Sequence, residues 1–154
     1  MKKRTLGLIV IAILLVFNIS ERGYADLKDG LVAYYPFNGN ANDESGNGNN
    51  GSITGNITWV NGKYGLAALF NGTNSFIEIS KPGSFSEATI GGWIQWKQFN
   101  YWSRFFDFGK YREAIHVCNA KNSNELLYDC HFQDETNVYT GFNIKNNEWY
   151  HILL

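Results

Sequence analysis

Apolar positions along the chain follow the two-residue period of β-strands. Between Phe76 and Ser80, Ile77 and Ile79 share one face while Glu78 lies on the other, as in a strand with one solvated side. Turn-forming Asn-Gly pairs separate the runs. The pattern therefore predicts an all-β domain of antiparallel strands, with further short strands at 57–60, 66–70, 104–108, 114–118, 126–132, 138–142 and 149–154.

Two runs carry apolar bulk on both strand faces, and each is predicted to be a buried strand. The first, Leu31–Phe37 (LVAYYPF), opens the domain, and the second, Thr89–Lys97 (TIGGWIQWK), lies in its middle. Between them, the stretch NGNANDESGNGNNG has Ala41 as its only apolar residue. Turn formers this dense cannot build a core, so residues 38–51 are predicted to form a surface loop.

The N-terminus has the layout of a secretory signal peptide. Three basic residues at 2–4 precede an apolar run of 14 residues, Leu6–Ile19, whereas a stable membrane span needs roughly 20. Small residues, Gly23 and Ala25, lie at the positions that signal peptidase prefers. The prediction is a signal peptide over 1–25, a secreted or periplasmic protein, and no stable membrane span after cleavage.

Cleavage after Ala25 would leave 129 of the 154 residues, enough for one domain with a real core. The mature chain would keep 9 basic and 13 acidic residues, a net charge of −4. A surface of that charge offers no electrostatic attraction for nucleic acid or anionic lipid. Neither is therefore expected as a partner.

Four blocks of the sequence carry a recognisable pattern: GLVAYYPFNGNANDESGNGNNG (Gly30–Gly51), KYGLAALFNGTNSFIEI (Lys63–Ile79), ATIGGWIQW (Ala88–Trp96) and WYHILL (Trp149–Leu154). In their order and spacing they resemble the laminin G-like domains of bacterial secreted proteins, in the concanavalin A-like lectin/glucanase superfamily. The resemblance implies an antiparallel jelly-roll β-sandwich over 26–154. In that family the strand similar to WYHILL is followed by further strands, so this domain is expected to be incomplete and to lack its last strands.

The resemblance implies a binding module for glycans or for an extracellular protein surface. Sandwich glucanases carry their acids on one strand as Glu, a spacer, Asp, two spacers and Glu, a run that this sequence lacks. Glu78 stands alone in its strand, and Asp129, Asp134 and Glu135 have other spacings. A non-catalytic function is predicted. The alternatives are the N-terminal part of a larger secreted enzyme and a structural adhesion spacer.

Aromatic residues in WKQFNYW are the candidates for stacking against a glycan. Trp96 ends a predicted strand, and Phe99, Tyr101 and Trp102 lie in a polar link. The alternative is that these rings seal one end of the sandwich, since most aromatic residues are core residues.

Calcium is the cofactor that the loops could hold, because hard oxygen ligands suit it and many domains of the resembled family bind it. The candidate ligands are Asp43 in the long loop and the amides Asn71 and Asn74. The alternative for Asp43 is a turn-stabilising carboxylate that accepts backbone N–H bonds.

Two cysteines, Cys118 and Cys130, flank a hairpin predicted to turn near Ser123, and export would place them in an oxidising compartment. A disulfide between them is the prediction. A zinc site that adds His116 and His131 is the alternative, but Cys130 and His131 are adjacent and would point to opposite faces of a strand.

Overall fold

A computed structural model describes residues 28–80, 83, 87–110, 113–132 and 134–154. Residues 31–154 belong to one compact unit. The predicted signal peptide, 1–25, and its cleavage site lie outside the described residues. In the described ranges no helix is long and apolar enough to span a membrane.

The described residues form ten β-strands and contain no helix. Their bounds are β1 Gly51–Thr54, β2 Ile57–Asn61, β3 Leu66–Phe70, β4 Phe76–Ile79, β5 Gly91–Ile94, β6 Arg104–Lys110, β7 Glu113–Asn119, β8 Glu125–Phe132, β9 Asp134–Asn143 and β10 Tyr150–Leu153. Every pairing is antiparallel. The prediction of an all-β, antiparallel domain is confirmed.

Strands β6-β7-β8-β9 form a four-stranded sheet of consecutive hairpins. The remaining strands pair two by two, as β2 with β3, β1 with β4 and β5 with β10. The β2–β3 turn is closed by the Gly62 N–H, which donates to the Gly65 carbonyl over 2.9 Å. The β7–β8 turn includes Ser123, as predicted, and the Ser123 N–H donates to the Ala120 carbonyl over 2.9 Å.

Leu31–Phe37 is not a strand, so that prediction is wrong. Side chains of the long loop take the hydrogen bonds that a neighbouring strand would have taken: the Asn47 and Asn49 amides both donate to the Val32 carbonyl. The Tyr34 carbonyl accepts the Glu44 N–H over 2.8 Å. The run is half-buried for the most part, so its apolar pattern reflects partial burial without sheet pairing.

Strand β1 begins at the end of the predicted loop, and the sequence does not predict it because GSIT holds a single apolar residue. Its first residue, Gly51, pairs with Ile79 of β4. A Cβ at Gly51 would come within 2.5 Å of Ile77 Cγ2, so the close approach of β1 to β4 needs a glycine at this position.

The four-stranded sheet is buried on both faces at its centre. Val117 and Cys118 are consecutive in β7 and therefore project to opposite faces, yet both are almost fully buried. On the Val117 face, a cluster forms with Trp96, Ile144 and Ile152. On the Cys118 face, a smaller cluster forms with Ala120 and Leu127, against which the half-buried Trp102 packs.

Candidate functional site

The aromatic residues predicted to stack on a glycan lie mostly in the core. Trp96 is only 6% exposed and belongs to the main cluster, against which Phe99 also packs. Trp102 packs on the smaller cluster. These three rings lie where they would if they sealed one end of the domain, which is the alternative to glycan binding. Of the four residues, Tyr101 alone is well exposed, at 67%.

Asn119 fixes the loop that carries Tyr101 and Trp102. Its side chain is fully buried, and its amide nitrogen donates to the Asn100 and Lys121 carbonyls over 2.9 and 2.6 Å. Its amide oxygen accepts the N–H of Ser103 over 3.0 Å. The Asn119 side chain thus joins this loop to the β7–β8 turn. It also holds in place the loop backbone at Trp102, whose φ of 54° lies in the left-handed region.

Asp43 is the centre of the long loop and acts as the turn-stabilising carboxylate of the alternative interpretation. Its Oδ1 accepts the N–H groups of Tyr34 and Ser45 over 2.9 and 2.8 Å, and its Oδ2 accepts that of Asn49 over 2.9 Å. Hydrogen bonding by Ser45, reinforced by these other backbone donors, holds the pKa of Asp43 far below its usual range. The carboxylate thus organises the loop through backbone hydrogen bonds.

Asn71 and Asn74, the other predicted calcium ligands, bond to each other. The Asn71 amide nitrogen donates to Asn74 Oδ1 over 2.8 Å, while Asn71 Oδ1 accepts the N–H groups of Thr73 and Ser75 over 2.9 and 3.1 Å. No group of three or more acidic, histidine or cysteine side chains placed to hold a metal occurs within the described residues. Calcium binding at these positions stays a prediction.

The predicted disulfide between Cys118 and Cys130 is wrong. Cys118 is a free, buried thiol. In the β7–β8 register Cys118 lies opposite Leu127, and Cys130 lies opposite Ile115, three residues away along the strand. Three residues span roughly 10 Å of strand, beyond the reach of a disulfide. Burial raises the pKa of the Cys118 thiol to about 11, so it is a poor nucleophile as well.

His116 and Asp129 face each other across β7 and β8, with Nε2 and Oδ2 3.0 Å apart. Both side chains are more than nine-tenths buried. His116, the alternative zinc ligand, has this carboxylate as a direct partner. Asp129, which the sequence does not favour as a catalytic acid, is enclosed in the sheet rather than presented to a cleft.

A second group of aromatic residues lies at the surface, and the sequence did not single it out. We call it the Trp93 surface; it consists of Lys63, Tyr64, Trp93 and His151. Tyr64 is 72% and Trp93 42% exposed. The Tyr64 ring meets Trp93 edge-on at 5.9 Å, the His151 ring lies 5.1 Å from Trp93, and Lys63 Nζ lies 5.1 Å above the Trp93 ring.

Three elements position this surface. Trp93 of β5 and His151 of β10 are directly paired across the ladder, so their side chains project to the same face. Lys63 and Tyr64 occupy the β2–β3 turn. The opposite face of the same ladder carries Ile94 and Ile152, which pack in the main cluster. The alternation of Trp93 against Ile94 was visible in the sequence, but not which of the two faces is covered.

Comparisons with protein-family models, with curated proteins and with solved structures find no match to this chain. Its function is therefore inferred from its own residues and their geometry.

Proposed function

We propose that this chain is an exported, non-catalytic binding module that holds a saccharide on the Trp93 surface. The basic start followed by a short apolar run supports export. The observation that carries the binding function is the cluster of exposed rings formed by Tyr64, Trp93 and His151.

Exposed aromatic rings with polar neighbours are the parts from which a saccharide site is built. The C–H face of a pyranose packs on an aromatic face, and the sugar hydroxyls bond to polar groups at the rim. Tyr64 and Trp93 supply the rings, and His151 and Lys63 supply nitrogen groups beside them. An exposed apolar cluster with a polar rim is typical of a binding surface.

Trp93 and His151 are also held rigidly, because both lie on paired strands whose other face is anchored in the core. A ligand that binds there does not have to order a flexible loop at these two positions, which lowers the entropic cost of binding. Tyr64 sits in a turn that the bond between Gly62 and Gly65 closes tightly.

The positions of the acidic and thiol side chains described above support a non-catalytic function. Asp129 is buried against His116, Asp43 is occupied by backbone N–H groups, and the Cys118 thiol is buried. Glycoside hydrolysis needs two carboxylates that flank an accessible bond. These residues serve the fold instead.

We also propose the laminin G-like jelly roll as the topology. Strands distant in sequence pair in antiparallel fashion, β1 with β4 and β5 with β10, while β6 to β9 form a meander whose centre is buried on both faces. Stacked antiparallel sheets with such connections are typical of jelly rolls. A crystal structure of the chain would test this, and a single closed barrel would contradict it.

A glycan array followed by calorimetric titration of each hit tests the proposed function. Tyr64→Ala should weaken binding at least tenfold, since the substitution removes an exposed ring from the site. Tyr101→Ala is the matched control, because Tyr101 is about as exposed but belongs to the other aromatic group. If only Tyr101→Ala weakens binding, the Trp93 surface is not the site; if no glycan binds, the proposed function is wrong.

A further inference from the structure

We infer that the Trp93 surface selects single anionic saccharide chains over neutral chains and over crystalline polysaccharide. This inference rests on the proposed function and names its ligand class. It follows from two observations. The rings stand at angles to one another, and nitrogen groups of Lys63 and His151 lie beside Trp93.

The three rings do not share a plane. The Tyr64 ring stands at 76° to Trp93, and the His151 ring is tilted from Trp93 by 48°. A flat crystalline face can contact several rings at once only if those rings are coplanar. Rings at these angles form a corner instead, which contacts one pyranose from two sides and fits a chain that is free in solution.

Two nitrogen groups lie beside Trp93 within the same corner. Lys63 Nζ is held 5.1 Å from the ring centroid by a cation–π contact, and the His151 imidazole lies at 5.1 Å from the same ring. An exposed cation–π contact is weak, so the ammonium can move to a ligand at little cost. A carboxylate or sulfate on a sugar stacked at the corner would meet this ammonium.

The chain without residues 1–25 carries a net charge of −4. Its overall charge therefore repels an anionic polysaccharide rather than attracting it. Selection for acidic sugars therefore depends on the individual groups at the corner, and removing Lys63 should abolish most of it.

The experiment is calorimetric titration of the purified chain and of its Lys63→Met variant. The probes are a neutral oligosaccharide, a hexuronate oligosaccharide and a sulfated oligosaccharide of equal length, with a pull-down on microcrystalline cellulose beside them. Met keeps the apolar stem of the side chain and removes the charge. Lys121→Met, in the β7–β8 turn, is the matched control for loss of one exposed positive charge.

One or both acidic probes should bind about tenfold more tightly than the neutral one, which corresponds to about 1.4 kcal/mol. Lys63→Met should weaken the acidic probes about three- to tenfold and leave the neutral one within about twofold. The hexuronate and sulfated titrations decide which anion is preferred. No retention on cellulose is expected, and Lys121→Met should bind like the unaltered chain.

Three results would overturn the inference while leaving the proposed function standing. They are equal binding of neutral and acidic probes, an equal effect of Lys63→Met and Lys121→Met, and retention on cellulose that Tyr64→Ala abolishes. If none of the saccharides binds, both the inference and the proposed function fail.

Discussion

His116 and Asp129 occupy directly opposed positions of the two central strands, with the imidazole Nε2 3.0 Å from the carboxylate Oδ2. Val117, the next residue in β7, and Leu127, two residues before Asp129 in β8, are core residues. A polar pair in this position has little access to water and is stabilised by its own contact. It fixes the pairing of β7 with β8, since a shift by one residue would place each group against an apolar neighbour.

Removing one member of this pair should be costly. His116→Ala takes the imidazole away from a buried carboxylate and should lower the free energy of unfolding by about 3–5 kcal/mol. Urea denaturation measures the change. The control is Lys145→Met, which breaks the exposed Lys145–Glu148 pair and should cost no more than about 0.5 kcal/mol. Equal effects of the two substitutions would show that the buried pair does not stabilise the sheet.

Asn119→Ala should destabilise the protein by about 3 kcal/mol or more, because it leaves several buried backbone groups without their partner. Asn74→Ala removes an exposed amide with one side-chain partner and should cost less than about 1 kcal/mol. Thermal unfolding compares the two. A stable Asn119→Ala protein would mean that the loop carrying Trp102 is held by other contacts.

Asp43 makes stability depend on pH in the acidic range. Its folded-state pKa is depressed, so its contribution is complete above the usual value of 3.8 and is lost as the pH falls below it. Asp43→Asn removes this contribution and should be destabilised at neutral pH. The difference between variant and unaltered chain should shrink as the pH is lowered from 6 to about 2. A difference independent of pH would contradict this account of the loop.

The Cys118 thiol should be unreactive in the folded protein. In a Cys130→Ser variant it is the only thiol left, and a thiol-specific chromogenic reagent at neutral pH should label it only after denaturation. Mass spectrometry of the unaltered chain, with and without reductant, should show no internal disulfide. Rapid labelling of the native variant would mean that this face of the sheet is open.

Strand positions could be predicted from the sequence because alternation and Asn-Gly turns act locally. The hairpin near Ser123 was found in this way. The register of this hairpin could not be predicted in the same way. A disulfide requires Cys118 to lie near Cys130 across the two strands, whereas Cys118 lies opposite Leu127, three residues from Cys130. The buried pairing of His116 with Asp129 fixes that register, and the local pattern of apolar and polar residues does not show that these two side chains face each other.

The candidate site also combines features that the local sequence predicts with features that depend on packing between distant segments. The sequence predicts a site at Trp96 to Trp102 because aromatic residues in a polar link suggest exposure, but most of these rings pack in or against two core clusters. Trp93 looked like a buried strand residue because its run is apolar on both faces. Which face is covered depends on the packing of other strands, and the pairing of Trp93 with His151 joins residues far apart in the chain.

The most direct test of the central claim is the indole N–H spectrum of the protein, which has five tryptophans, during titration with a hexuronate oligosaccharide. Trp93→Phe and Trp102→Phe each assign the signal of the replaced residue by its disappearance. The account predicts that this signal shifts saturably while that of Trp102 stays in place. A shift of the Trp102 signal alone, or no shift of any indole signal at saturating saccharide, would contradict binding at the Trp93 surface.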